Sequence, residues 1–192
     1  PPSVDFQLTP SLFDHDYPGH YLRQLVQVTV SLPGVLGPYE DAHAVLRQLT
    51  SSYLLKADIG GCKYMYQQAQ QLPGEHDDIN PRFVVANPRI SQQVAISSDR
   101  EDPGLHTARW DDERYLPFEG TGAVSSWTLN FPRHGSAQQQ ALFDGLQDII
   151  LHLRYRSMDG GQSFAEEVKA LSAETLGDGA RHLGREVILQ RV

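Results

Sequence analysis

Glu113 and Glu119 flank Tyr115, Pro117 and Phe118, with Trp110 a few residues upstream. Glycoside hydrolysis requires two carboxylates about 5–10 Å apart across a cleft. A carbohydrate-binding or glycan-hydrolysing function would therefore sit on this stretch, with Trp110, Tyr115 and Phe118 as stacking rings. The plainer reading is that Glu113 and Arg114 form an exposed charge pair and Glu119 accepts backbone N–H bonds in a turn. Acidic β-proteins contain many such carboxylate pairs, and the plainer reading is preferred.

The other constellations weigh the same way. Gly120-Thr121-Gly122 lacks the Lys-Ser/Thr of a phosphate loop, and the residues after it read as a strand, with no helix N-terminus to hold a phosphate. The glycines are better explained as a tight bend. Ser125-Ser126 lacks the Gly-x-Ser-x-Gly elbow of a serine nucleophile. Asp14-His15-Asp16 and His76-Asp77-Asp78 carry metal-ligating types, but consecutive residues rarely converge on one ion without distant partners. Cys62 is the one cysteine, so neither a disulfide framework nor a zinc quartet can form within the chain. It follows Gly60-Gly61 and reads as a small hydrophobe in a loop or at a strand start. No catalytic residue, metal site or cofactor is expected.

Around these residues lies an ordinary globular composition. With 192 residues, 40% of them hydrophobic and 21% charged, the chain can bury a real core in a single domain. A net charge of −8 argues against tracking phosphates or docking to anionic lipid, since both need clustered Lys and Arg. No 18-residue apolar run exists to span a membrane, and Pro1-Pro2-Ser3-Val4-Asp5 shows no signal-peptide pattern. The missing initiator Met and the apolar finish at Val187-Ile188-Leu189 suggest a piece excised from something longer.

The elements that position these residues are mostly strands. Val26, Val28, Val30 and Leu32 alternate with polar residues across positions 21–32, which predicts a half-buried strand. Residues 42–51 fit a strand better than a short helix, and residues 83–85 and 90–98 read as further strands. Residues 105–110 add a short one. Trp127, Leu129 and Phe131 alternate, with Trp127 and Leu129 expected in the core. Ile149, Leu151, Leu153 and Tyr155 alternate with His152, Arg154 and Arg156, which places His152 on a solvated face. Residues 6–19 read as an irregular leading segment. Residues 56–81, rich in Gln with a possible short strand at Lys63-Tyr64-Met65-Tyr66, read as a long mobile surface loop. After Asp159-Gly160-Gly161 the pattern turns helical: Ser163 and Glu166 have capping-box spacing, and Phe164, Val168 and Leu171 share one face, with Gly177 and Gly179 as the stop. The fold class predicted is mainly β, an antiparallel β-sandwich with one C-terminal helix. Residues 1–161 form the sandwich, and residues 162–192 a helical tail that belongs to it or leads out of it.

Three phrases are more specific than any of these patterns. They are Leu12-Phe13-Asp14-His15-Asp16-Tyr17-Pro18-Gly19-His20-Tyr21, then Asp112-Glu113-Arg114-Tyr115-Leu116-Pro117-Phe118-Glu119-Gly120-Thr121-Gly122-Ala123-Val124-Ser125-Ser126-Trp127, then Asp148-Ile149-Ile150-Leu151-His152-Leu153-Arg154-Tyr155. With Leu32-Pro33-Gly34-Val35-Leu36-Gly37-Pro38-Tyr39 between the first two, they resemble, in this order, the C-terminal region of the A subunits of bacterial insecticidal toxin complexes (Tc toxins). The resemblance covers roughly residues 6–161. It implies a mainly-β, non-enzymatic domain at the entrance of a pentameric translocation channel. There it docks the β-propeller of the B subunit, whose cocoon holds the toxic enzyme. It also implies a place in a secreted or cell-surface toxin complex. The domain itself would touch neither membrane nor nucleic acid and would be monomeric when isolated.

The resemblance brings no residue-level contact motif. Loops on a rigid sandwich usually carry binding, so the partner-binding residues expected are Tyr39 and Glu40, after the Gly37-Pro38 turn, and His76, Asp77 and Asp78. Tyr39 is the kind of aromatic anchor enriched at hot spots.

Overall fold

A computed structural model describes residues 3–31, 43–72, 74–86, 93–97, 117–132, 144, 148–176 and 187–191. In chain order these form β1 (Ser3–Leu8), α1 (Pro10–Asp16), β2 (His20–Ser31), β3 (His43–Leu54), α2 (Ile59–Gln68), β4 (Val84–Ala86), β5 (Gln93–Ser97), β6 (Val124–Asn130), β7 (Ile150–Asp159), α3 (Gln162–Leu176) and β8 (Val187–Arg191). The predicted mainly-β, two-sheet architecture is the one observed. The first sheet runs β1-β6-β3-β4, with β5 also paired to β3, and the second runs β2-β7-β8.

Alternation builds both sheets. In β6 the core takes Ser125, Trp127 and Leu129, while Ser126, Thr128 and Asn130 stay half-exposed. Phe6 is the register partner of Trp127, and their rings stack at 6.4 Å. Across β2 and β7 the buried pairs are Leu25 with Tyr155, Val28 with Leu153 and Val30 with Leu151. The strict alternation expected from Val26 onward is broken here. A register shift between Leu25 and Gln27 puts Leu25 into the core and leaves Val26 half-buried. Such a bulge adds one residue and reverses the facing of everything before it.

Three further expectations are corrected. Residues 6–19 are not irregular: β1 pairs along β6, and α1 follows from Thr9 at its N-cap and Pro10 in its first turn. Proline is pre-organised for that position and lacks only an N–H the helix would leave unpaired. Residues 56–81 are not one loop. They hold α2, started by Asp58, whose carboxylate accepts from Gly61 N at 2.7 Å, and anchored by Cys62, Met65 and Tyr66 in the core. Residues 63–66 are therefore helix and not strand, and Cys62 sits inside that helix. Gly60 and Gly61 lower helix propensity but are required by crowding: a Cβ would lie 2.7 Å from Asp78 O at Gly60 and 2.7 Å from Leu54 Cδ2 at Gly61.

The third correction concerns the tail. Phe164, Val168 and Leu171 are buried on one face of α3, as predicted. Ser163, however, lies within the helix, and Glu166 bonds Gln162 Nε2 at 3.0 Å, so the spacing marks no capping box. The chain then returns as β8, which pairs parallel to β7. Parallel neighbours need a long crossover, usually a helix, so β7-α3-β8 is a β-α-β unit within the two-sheet fold. The turn expected over residues 37–41, the strand over 105–110, the loop over 133–141 and the stop at Gly177 and Gly179 lie outside the described residues.

Candidate functional site: the sheet junction and the exposed faces

The stretch with the most suggestive chemistry is a structural corner. Residues 117–120 make a turn in which Phe118 adopts φ +69° and is buried edge-on against Trp127, with ring centroids at 4.8 Å. A ring so placed offers no face to a sugar. Gly120 N then donates to Leu25 O, Leu25 N to Thr121 O, and Ala123 N to Arg23 O, which attaches the segment to β2 of the second sheet. At Val124 the chain enters β6 of the first sheet. The glycines do serve a bend, as expected: Gly120 has φ +75°, and a Cβ on Gly122 would collide with the Ser52 backbone. Buried Thr121 locks the corner, its hydroxyl donating to Phe118 O at 2.7 Å and accepting from Gln48 Nε2 at 3.2 Å.

Other chemical candidates are likewise engaged. Ser125 Oγ donates to Ala123 O and accepts from Trp127 Nε1, both at 2.8 Å. Ser126 shares a 2.6 Å hydrogen bond with Thr50. Asp14, His15 and Asp16 do not converge. The Asp14 carboxylate turns inward to Arg23 Nη2 (2.6 Å) and to the Tyr66 hydroxyl (2.8 Å), whereas His15 and Asp16 pair with each other at the surface. Sequence reasoning missed this buried Asp14–Arg23–Tyr66 cluster, because its members come from three elements. Burial, then the charge of Asp14, pushes the Cys62 thiol and the Tyr66 phenol well above their usual ranges. Both groups therefore stay protonated.

Of the five loop residues expected to bind a partner, Tyr39 and Glu40 lie outside the described residues. His76 is half-buried, and Asp77 and Asp78 are exposed in a turn. Asp78 bonds Lys63 of α2 at 2.6 Å, and that bond is the main cause holding its carboxyl below the ordinary value. Asn80 N donates to Gly60 O at 3.1 Å, so this turn is tied to the start of α2. Of the carbohydrate candidates, Glu119 is exposed, and Trp110, Glu113 and Tyr115 lie outside the described residues.

Two exposed features remain. A groove of about 290 Å³ runs between α2 and the ends of β1, β3 and β6, lined by Thr50, Ser52, Tyr64, Gln68 and Ser126 among others. The outer face of the second sheet carries His152, Arg154 and Arg156, the solvated face expected from the sequence. No described helix is long and apolar enough to cross a membrane.

The described residues thus form a two-sheet, mainly-β domain in which Asp14, Thr121 and Ser125 serve the framework. Residues 2–157 match the family of Tc toxin complex TcA C-terminal TcB-binding domains, and the chain belongs to that family. It is 35% identical over 175 residues to Toxin subunit YenA2 of Yersinia entomophaga, an alignment covering 91% of this chain and 12% of that protein. The chain thus spans about an eighth of the length of the curated relative it matches. No solved structure matches it.

Proposed function

We propose that the chain is a non-enzymatic assembly module that docks the B subunit of a Tc toxin complex onto the A subunit. The observation that carries this reading is the family match over residues 2–157, to a domain described by its binding of TcB. The relation to a toxin subunit over 91% of the chain supports the same setting, a bacterial toxin complex acting outside the cell that makes it. The hydrogen bonds of Asp14 and Ser125 and the burial of Cys62 support a framework role for residues that could otherwise be read as chemistry. The isolated chain is a monomer in this reading, with the pentamer a property of the whole A subunit. Residues 162–192 belong to the docking domain, a view supported by the pairing of β8 with β7. Tyr39 and Glu40, and the turn over residues 76–78, are its proposed contact loops. The alternative use of Phe118 for carbohydrate loses its support, since that ring is buried.

Titration of the chain with its cognate B subunit by calorimetry tests this. Nanomolar-range association is expected. No heat of binding at micromolar concentrations overturns the reading.

A further inference from the structure

The outer face of the second sheet is unusual for so acidic a chain. Side chains alternate along a strand, and Leu151, Leu153 and Tyr155 of β7 point into the core. His152, Arg154 and Arg156 therefore share the outer face, the two arginines exposed. Their register partners on β2 are Thr29, Gln27 and Gln24. None of these positions is a carboxylate, although the chain as a whole carries a net charge of −8.

Among the described residues the arginines are held by amide oxygens and by no carboxylate. Arg156 donates from Nε and Nη2 to Gln24 Oε1 at 3.1 and 2.8 Å, and Arg154 donates from Nη1 to Gln27 Oε1 at 3.3 Å. An amide oxygen fixes the guanidinium but brings no charge. Of the five N–H donors on a guanidinium, Arg156 uses two and Arg154 one in bonds among the described residues. The rotamer cost of ordering long side chains is partly met before a partner arrives. Residues two apart on a strand lie about 6.6–6.8 Å apart, a spacing that suits carboxylates two apart on a facing strand or one turn apart on a facing helix.

We propose that this face, centred on Arg154 and Arg156 and framed by Gln24, Gln27 and His152, is a docking surface for an acidic protein surface, that of the B subunit. The inference rests on the docking reading above and adds the face and its sign. A polyanionic nucleic acid or membrane is disfavoured by the net charge around so short a cationic strip. Arginine is the cation most enriched at protein interfaces, and complementary charge acts mainly on the rate of encounter.

The test measures association of the full chain with the cognate B subunit at low and high salt. The variants are Arg154→Gln/Arg156→Gln, Arg154→Lys/Arg156→Lys and, as a control, Lys56→Gln. Lys56 follows β3 and lies over the Phe83 ring, 5.1 Å from its centroid. Circular dichroism and urea midpoints check that each variant is folded. The expected result is at least a ten-fold loss of low-salt affinity in the Gln pair, chiefly in the association rate, together with a flattened salt dependence. The Lys pair retains most of the binding and Lys56→Gln all of it. If the wild-type chain binds but the folded Gln pair binds equally well with the same salt dependence, this face is overturned while the docking reading stands. If the Gln pair instead loses binding only to phosphatidylserine vesicles or duplex DNA, the face serves a polyanion and the proposal is equally overturned. If the wild-type chain does not bind the B subunit at all, both fall.

Discussion

Asp14 of α1 and Arg23 of β2 meet at 2.6 Å with both side chains buried, and the hydroxyl of Tyr66 from α2 closes on the same carboxylate at 2.8 Å. One ion pair thus joins a sheet to two helices that sequence patterning did not reveal. Arg23 also donates to Tyr17 O at 2.8 Å and sits over the Phe13 ring at 5.7 Å, so it fixes the far end of α1 as well.

Breaking a buried pair by removing one partner leaves an uncompensated charge, which costs about 3–5 kcal/mol. Arg23→Met is therefore expected to destabilise the chain by about that much in urea unfolding. Adding Asp14→Asn removes the stranded charge while leaving an oxygen that can still accept from Tyr66, and should recover at least half of the loss. A coupling energy within the ~0.5 kcal/mol scatter of independent sites would show that the two residues do not act as a unit.

Trp127 carries the first sheet. It is fully buried, stacked on Phe6 and met edge-on by Phe118, with its indole N–H satisfied by Ser125. Trp127→Ala is expected to cost about 3–5 kcal/mol, read as a shift of the urea midpoint. A change under ~1 kcal/mol would contradict its place at the centre of the core.

Much of this framework was legible because it follows a short period. The alternations around Trp127 and Leu153, and the helical face of Phe164, Val168 and Leu171, each signal a buried stripe within one segment. The parts that stayed hidden depend on contacts between segments. Helix α2 was masked by Gly60 and Gly61, whose reason lies in the close approach of Asp78 and Leu54. The pairing of the Val187-Ile188-Leu189 run stayed hidden because its partner strand, β7, lies on the far side of α3. Local sequence cannot show that Trp127 covers Phe118, the ring that the carbohydrate alternative would use. The solvated face of β7 was readable from alternation alone. That its arginines are braced by Gln24 and Gln27 required the bulged register of β2, which no local pattern states.

The buried thiol and phenol of α2 predict an alkaline limit to stability. Cys62 ordinarily titrates near 9.0 and Tyr66 near 10.0, and burial followed by the Asp14 charge raises both in the folded chain. Above those ordinary values the unfolded chain releases protons that the folded chain retains. Stability therefore falls as pH rises, with the Cys62 contribution fully present below about pH 9 and the Tyr66 contribution below about pH 10. Urea midpoints measured from pH 7 to 11 should decline through that window. Cys62→Ala should delay the onset of the decline, and Tyr66→Phe should flatten its upper part, even though each substitution lowers stability at neutral pH. The same burial keeps the thiol from the thiolate form that reacts, so Ellman's reagent should label Cys62 only as the chain unfolds. Rapid labelling of the folded chain at pH 8, or alkaline slopes identical in all three proteins, would place Cys62 and Tyr66 outside the core that α2 forms with α1 and α3.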